Sequence, residues 1–589
     1  MAVENLITEH IDIWTSAVKT KSASGRGSSK KLEIYGVKKL RELILELAVR
    51  GKLVPQDPND EPASVLLERI AGEKAQLVKE KKIKKPKKLE PISTEDCLFD
   101  IPSSWSWERL GNIGETNIGL TYSPKEAGDE GIPVLRSANI QKGKIDLSDL
   151  VRVQKEVKDT VLVEIGDLLI CARNGSKALV GKTAQIKALN EPMAFGAFMA
   201  IFRSCINDYI EVFLNSPVYR RNLDGVSTTT INQITQTNLR STICPLPPVK
   251  EQHRIVAKVD ELMALCDQLE QQTEASIEAH QVLVTTLLDT LTNSADADEL
   301  MQNWARISEH FDTLFTTEES IDQLKQTILQ LAVMGKLVPQ DPSDEPAAEL
   351  LKRIAEEKAQ LVKEKKIKKE KVLPPISEDE KPFTLPSGWE WCRVGSISNL
   401  KGGFAFKSKD FVTNSIYQVI RMGNIRPDNL RLSESPAYIP QQIAEEAKDY
   451  KLVSGDILLT MTGTKGKRDY LYSLLINEKD IVSNQLFLNQ RLCNIQPIFV
   501  APSFVNMAIK ADIVLDAIFT KSTGTANQAN IGMDAIKNWV LPVAPLAEQH
   551  RINDMVNELM DVCDHIKTRL VDLQATQLKL TDTIIEQAV

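Results

Sequence analysis

Arg173, Asn174, Ser176 and Lys177 surround Gly175, and Thr464, Lys465, Lys467 and Arg468 surround Gly466. Each group follows a Gly-Asp pair with a short apolar run, Gly166-Asp167-Leu168-Leu169 in one case and Gly455-Asp456-Ile457-Leu458 in the other. Two later segments have the same character, one carrying Thr229, Asn232 and Gln233, the other Lys521, Thr523, Asn527 and Gln528. Arg136 with Asn139 and Arg421 with Asn424 form a matching pair upstream. Such side chains suit DNA, because Arg and Lys donate to guanine or phosphate, Asn and Gln pair with adenine, and glycine lets the backbone approach closely. Taken alone, each loop reads first as an ordinary polar surface loop. The expectation of a DNA-binding surface rests on the set.

Catalytic chemistry is harder to place. Val180-Gly181-Lys182-Thr183 resembles the end of a phosphate-binding loop, but Gly175 lies one residue too far upstream and Ser176 holds the position that needs glycine. The 6 histidines, His10, His253, His280, His310, His550 and His565, all lie outside the stretches that carry the polar loops. No Asn-Pro-Pro-aromatic motif of the kind amino-methyltransferases use for their target base occurs. The 8 cysteines are scattered without a Cys-x-x-Cys, which indicates free thiols and neither a disulfide framework nor a zinc knuckle. The chain is expected to have no catalytic residue, no cofactor and no metal of its own.

The elements that must hold these loops occur twice. Leu47-Ala48-Val49-Arg50-Gly51-Lys52-Leu53-Val54-Pro55-Gln56 returns 284 residues later as Leu331-Ala332-Val333-Met334-Gly335-Lys336-Leu337-Val338-Pro339-Gln340. Glu73 to Lys85 recurs as Glu357 to Lys369, and Pro102, Trp105, Trp107, Arg109 and Gly111 recur as Pro386, Trp389, Trp391, Arg393 and Gly395. The copies then diverge for over a hundred residues, in which the polar loops lie. Similarity resumes at Glu251-Gln252-His253-Arg254-Ile255 and Glu548-Gln549-His550-Arg551-Ile552, now 297 apart, so the second divergent stretch is 13 residues longer. A period near 284 is too long for a solenoid and points to two whole modules in tandem.

With 589 residues, 42% hydrophobic and 26% charged, the chain has length for several domains with proper cores. It lacks a long apolar run and a signal-peptide start, so no membrane span is expected and the expected compartment is the cytoplasm. The net charge of −8 argues against a polyanion partner until it is divided along the chain. From Leu98 to Pro245 there are 16 acidic and 16 basic residues, and from Pro382 to Val543 there are 14 and 17. The divergent centres thus carry 0 and +3, and the repeated frame carries −11. If a polyanion binds, the centres bind it. The lysine runs from Lys79 to Lys88 and from Lys363 to Lys371 read either as phosphate contacts or as solvated helix ends.

The frame reads as helical. Ile255, Val259, Leu262, Cys266 and Leu269, then Leu283, Leu287 and Leu291, fall largely at 3- and 4-residue spacing, predicting a helix over 251–291. Ile552, Val556, Leu559, Cys563, Ile566, Leu570, Leu573, Leu580 and Ile584 repeat the pattern near the C-terminus. A single apolar seam needs a partner, either the other long helix or the centres themselves. One copy of the frame is split between the two chain ends, so joining the C-terminal helix to the N-terminal segment would close a circularly permuted, pseudo-two-fold arrangement. Matching Trp14 to Trp304 leaves a surplus in the N-terminal copy around Ser22 to Ser29, read as a flexible loop. The centres read as α/β, with strands expected at 161–163, 167–171 and 197–202, and at 417–420, 456–459 and 487–489.

Two divergent domains, each ending in a proline-rich step (Pro245-Leu246-Pro247-Pro248; Pro542-Val543-Ala544-Pro545) into Glu-Gln-His-Arg-Ile, resemble the specificity subunits of type I restriction-modification enzymes. The repeated Leu-Ala-Val-x-Gly-Lys-Leu-Val-Pro-Gln looks most like the EcoA (type IB) group. The resemblance spans nearly the whole chain. It implies two α/β (α+β) target-recognition domains, 98–246 and 382–544, joined by long antiparallel coiled-coil helices. The helical frame then comprises 1–97, 247–381 and 545–589. It further implies a double-stranded DNA partner with a bipartite, asymmetric site, one domain per half, and a frame that holds two modification and two restriction subunits. S-adenosylmethionine, ATP and Mg would belong to those partners. The coiled coil would set the spacer between half-sites. The rival readings are a self-sufficient DNA-modifying enzyme and a coiled-coil scaffold that binds no DNA.

Overall fold

A computed structural model describes residues 3–21, 31–81, 88–224, 232–427, 429–524 and 528–589. The chain forms two compact units, one from residues 1–24, 28–276 and 574–589, the other from 25–27 and 277–573. Each holds one strand-rich centre and one set of frame helices.

In the first unit the C-terminal residues join the N-terminal segment, as the permuted arrangement requires. Tyr35 donates its hydroxyl to Asp582 at 2.8 Å, Gln574 donates to the Val18 carbonyl at 2.7 Å, and Lys52 donates to the Val589 carbonyl. The helix Tyr35–Val49 buries Leu40, Leu43, Ile44 and Leu47 on one face. It stops at Gly51, whose φ of +70° is left-handed, and a Cβ there would lie 2.6 Å from Pro102. The copied sequence blocks meet just beyond it. Gln56 and the Trp105 indole both donate to the Glu251 carboxylate, at 2.6 and 3.0 Å, and Arg254 pairs with buried Asp60 at 2.6 Å. Burial pushes the Glu251 carboxyl up, and the two donors partly offset that shift.

The second unit builds the same joint. Gly335 has φ +67° against Pro386, Gln340 and Trp389 each donate to Glu548 at 3.0 Å, and Arg551 pairs with Asp344 at 2.7 Å. Blocks far apart in sequence were copied together because they form one buried polar knot, in which losing any donor leaves a buried carboxylate short of partners.

Each centre carries a four-stranded antiparallel sheet in the same order. In the first it runs Thr183–Gln185, Leu168–Cys171, Met199–Arg203, Glu115–Ile118; in the second, Ser473–Leu475, Ile457–Thr460, Leu492–Pro497, Ser398–Gly402. A parallel pair lies beside each sheet, Ala194–Phe195 with Ile132–Leu135 and Gln485–Leu488 with Tyr417–Ile420. An antiparallel pair closes each centre on the frame, Ser106–Arg109 with Ile243–Leu246 and Glu390–Arg393 with Val540–Val543. The Gly-Asp pairs are turn locks. Gly166 and Gly455 take φ of +95° and +92°, and Asp167 and Asp456 accept from the N–H of Glu164 and Val453.

Three expectations need correction. The 161–163 strand is absent: Val161 and Leu162 close N–H bonds onto Lys158 and Asp159, making a 3-10 turn, and Leu162 keeps one isolated bridge to Ala194. The long helices run Val249–Thr292 and Leu546–Ala588, but Leu283, Leu573 and Leu580 stay exposed while Val284, Leu288 and Thr581 are buried. An apolar row held to a seven-residue repeat drifts about 20° per heptad around a straight helix, which rotates those leucines off the buried face. Finally, Trp14 corresponds to Leu314 and not to Trp304. His10 and His310 each precede a short helix and accept from the residues four positions on, Trp14 and Leu314, and both of those side chains are buried, whereas Trp304 is 40% exposed. The N-terminal surplus carries a β-hairpin, Val18–Lys21 with Lys31–Ile34. Ser22 to Ser29, read as a flexible loop, lie outside the described residues.

Arg393 ties each edge of its centre together, donating to the Pro374, Pro375 and Asn538 carbonyls and, through both Nη atoms, to Glu380 at 3.0 and 2.9 Å. That pairing, with the Ser377 N–H, holds the Glu380 carboxyl down to about 2 from an ordinary 4.5. A carboxyl depressed on folding contributes stability above its unfolded pKa and loses it as pH falls through the folded one. Glu380→Gln is therefore expected to flatten the fall in melting temperature between pH 4.5 and about 2 relative to the parent chain; superimposable acid limbs would contradict this.

Candidate nucleic-acid interface

The polar segments far apart in sequence come together in each centre. In the first, Arg173 forms an antiparallel bridge with Gln233, Asn174 N–H donates to the Asn232 carbonyl at 3.3 Å, and the Asn232 amide donates to the Gly175 carbonyl at 3.1 Å. The Asn174 side chain accepts from Ser176 N–H at 3.0 Å and donates to Ser137 Oγ at 3.3 Å, which joins the turn after Arg136 to the same surface. Arg173, Ser176 and Lys177 are exposed. Thr229 lies outside the described residues.

In the second centre Ala529–Asn530 pairs on one side with Thr462–Gly463 and on the other with Thr523–Gly524. This small sheet sets Thr464, Lys465 and Lys467 beside Lys521, Thr523 and Gln528. Lys465, Lys521, Thr523 and Gln528 are exposed, and Asn527 lies outside the described residues. Arg468 is exposed and pairs at the surface with Asp512 and Asp516, with its guanidinium 6.0 Å from the Phe519 ring centre. Thr464 is held by Asp469, which accepts from its hydroxyl at 2.6 Å and its N–H at 2.7 Å. Both pairings shape the loop.

Asn139 and Asn424, by contrast, are internal. Asn139 is buried, accepts from Arg136 N–H at 2.8 Å, and donates to the Asp146 and Asp149 carbonyls. Asn424 repeats this with Arg421 N–H and the Arg431 and Glu434 carbonyls. A buried amide whose two donors and acceptor are satisfied locks a turn and cannot also read a base edge. Arg136 pairs with Asp149 at 3.3 Å, and Arg421 donates to the Ser435 carbonyl.

In the second lysine run Lys366 pairs with Glu364 at 2.8 Å, while Glu370 is taken by Lys537, outside the run, at 2.7 Å. Lys182 donates to the Ile140 carbonyl and Thr183 is buried in a strand, so the Val180 to Thr183 segment presents nothing to a phosphate. No group of three or more His, Cys, Asp or Glu among the described residues is placed to hold a metal ion. No helix among them is long and apolar enough to cross a membrane.

Two exposed side chains beside these loops were not singled out by sequence. Phe198 is 60% exposed under the Arg173 guanidinium, 5.3 Å from its ring centre, and Arg491 is exposed with φ +69°. A left-handed non-glycine residue costs about 1–2 kcal/mol, and such strain clusters at working sites. Sequence offered no alignment between the two positions.

The type I restriction modification DNA specificity domain family matches residues 102–279 and 386–574, most of both centres and the start of each long helix. The EcoAI specificity subunit of Escherichia coli, a type I restriction enzyme subunit, is 42% identical over the full length of both chains. The EcoEI specificity subunit of Escherichia coli is 41% identical, again over all of both. The chain belongs to the type I restriction enzyme specificity subunits. Its relatives place it in the EcoA-like (type IB) group. The solved HsdS subunit from Thermoanaerobacter tengcongensis is similar at 15% identity and a TM-score of 0.39, covering 83% of this chain and 98% of that one.

A specificity subunit recognises DNA sequence and does not catalyse, which sets aside both the self-sufficient enzyme and the scaffold without DNA. The paired loops of its two centres display exposed cations, hydroxyls and amides on a backbone fixed by strand pairing. Preorganised donors of this kind spend little ordering entropy on binding.

Proposed function

We propose that the two centres each read one half of a bipartite, asymmetric site on double-stranded DNA. The loops carrying Arg173, Ser176, Lys177, Asn232 and Gln233 serve one half, and those carrying Lys465, Lys467, Lys521, Thr523 and Gln528 serve the other. The observation that carries this reading is that both centres join the same two segments through the same strand framework while differing in the side chains displayed there. Lysines at the loop edges supply phosphate contacts, which give affinity that falls with salt, and the remaining groups face base edges.

The copied frame holds two modification subunits and, through them, two restriction subunits, which bring S-adenosylmethionine, ATP and Mg. The assembly works in the cytoplasm. In this reading the helices Val249–Thr292 and Leu546–Ala588 pair antiparallel as a ruler that sets the gap between half-sites. Inserting four residues after Glu274, matched by four after Asp572, adds about one turn and ~6 Å to the ruler. At roughly 3.4 Å per base pair, the gap is expected to lengthen by about one or two base pairs with both halves unchanged. Mapping methylated adenines in cells carrying the whole system measures it. An unaltered gap in an active complex would refute the ruler.

A further inference from the structure

We propose that Phe198 and Arg491 occupy one and the same reading position in the two recognition domains and select different bases there, a thymine through its methyl group in the first half-site and a guanine in the second. The inference rests on the reading of the two centres as DNA-recognition domains.

The equivalence comes from the backbone. In the first domain Leu120 N–H donates to Phe195, Ala197 N–H to Leu120, Ala172 N–H to Phe198 and Ile234 N–H to Ala172, at 2.6, 2.9, 2.9 and 2.7 Å. In the second, Phe404 donates to Leu488, Gln490 to Phe404, Met461 to Arg491 and Ile531 to Met461, at 3.0, 2.9, 3.1 and 2.9 Å. A glycine sits under each turn where a side chain cannot fit: a Cβ on Gly119 would lie 2.3 Å from the Gly196 carbonyl oxygen, and one on Gly403 would lie 1.9 Å from that of Asn489. Phe198 and Arg491 are each the last residue of this turn, immediately before the central strand and beside both polar segments of their own domain. The same rigid turn thus presents a phenyl ring in one domain and a guanidinium in the other.

Their chemistry differs as base readers differ. Phe198 is a large apolar ring held out in solvent, its Arg173 neighbour bracing one face, and an apolar group in a groove discriminates by contact with the thymine methyl. Arg491 makes no side-chain hydrogen bond or ion pair to any described residue, so its whole donor fork is available. It lines a hollow of about 580 Å³ with Arg421 and Arg426, which are turned to the Ser435 and Ile425 carbonyls, and with Asn489, whose buried Oδ1 has no partner among the described residues. A free guanidinium fork matches guanine O6 and N7.

The test uses the full chain in its complex with the modification subunits and reads the methylated sites across a genome. Arg491→Gly suits the φ of +69° and keeps the turn, while Arg491→Lys keeps the charge without the fork. Both are expected to lower the preference for G at one position of the second half-site, roughly 5- to 150-fold, with the first half-site unchanged. Phe198→Arg is expected to move the corresponding position of the first half-site from A·T to G·C, with melting temperature compared to confirm folding. An unchanged second half-site in Arg491→Gly, or a uniform loss on all sequences that Arg491→Lys restores, would overturn the assignment, the latter by showing a phosphate contact. Exchange of the whole second domain separates the two levels: if exchange moves the half-site and the point variants do not, this inference fails alone; if exchange moves nothing, the reading beneath it fails.

Discussion

Trp105→Ala is expected to lower the unfolding free energy of the first unit by about 3–5 kcal/mol, the range for emptying a buried aromatic site. The ring is 5% exposed, stands edge-on to Tyr209 with centres 6.3 Å apart, and closes against Gly51. Its indole also donates to Glu251, a carboxyl already pushed up by burial. Truncation therefore opens a cavity and strips a donor from a buried acceptor. Trp105→Phe separates the effects, since it keeps most of the packing and is expected to cost about 1–3 kcal/mol through the missing donor. Urea titration followed by hydrogen exchange of the Tyr35–Val49 and Val249–Thr292 helices reads both variants. A loss below 1 kcal/mol for the alanine variant would show that the copied joint does not hold the unit together. Because Trp389 repeats the geometry, with Glu548 at 3.0 Å and Phe504 at 6.1 Å between ring centres, the second unit is expected to respond alike.

Sequence made the repeat, the long helices and most central strands legible, for reasons the joint explains. Gly51, Gln56, Trp105 and Glu251 must all be kept for any one to be useful, so they persist together and stand out as copied blocks. The hydrophobic runs Leu168–Cys171 and Ile457–Thr460 are fully buried strands, recognisable from composition. Less legible was which polar residues face outward. Asn139 and Asn424 drew notice because they recur, yet recurrence marked a shared turn lock, whereas a reader of different bases is free to vary. Phe198 and Arg491 share a place and no chemistry, so comparison of letters passes over them and only the hydrogen-bond framework aligns them. The pairing of Arg468 was not legible because Asp512 and Asp516 lie over 40 residues away in sequence. The Trp14 and Trp304 match failed for a related reason: tryptophan is rare enough to attract an alignment, but the buried position is kept by burial, which leucine at 314 satisfies as well.

In the proposed function, reading is divided between two exchangeable domains held in a constant frame. An exchange made between the closing strands Glu390–Arg393 and Val540–Val543, inside the segment 382–544, leaves both Trp389 and Glu548 of the second buried joint in place and does not reach the joint at Glu251. Loss of the correct half-site is expected to be essentially complete, since each mismatched base pair costs about 1–3 kcal/mol and several are replaced at once. The most direct measurement is the map of methylated adenines in cells that carry the modification and restriction partners with either the parent chain or the chimaera. The expected site is one whose second half has been replaced by the donor's while the first half and the gap stay the same. Maps in which both halves change, or in which neither does, would contradict it.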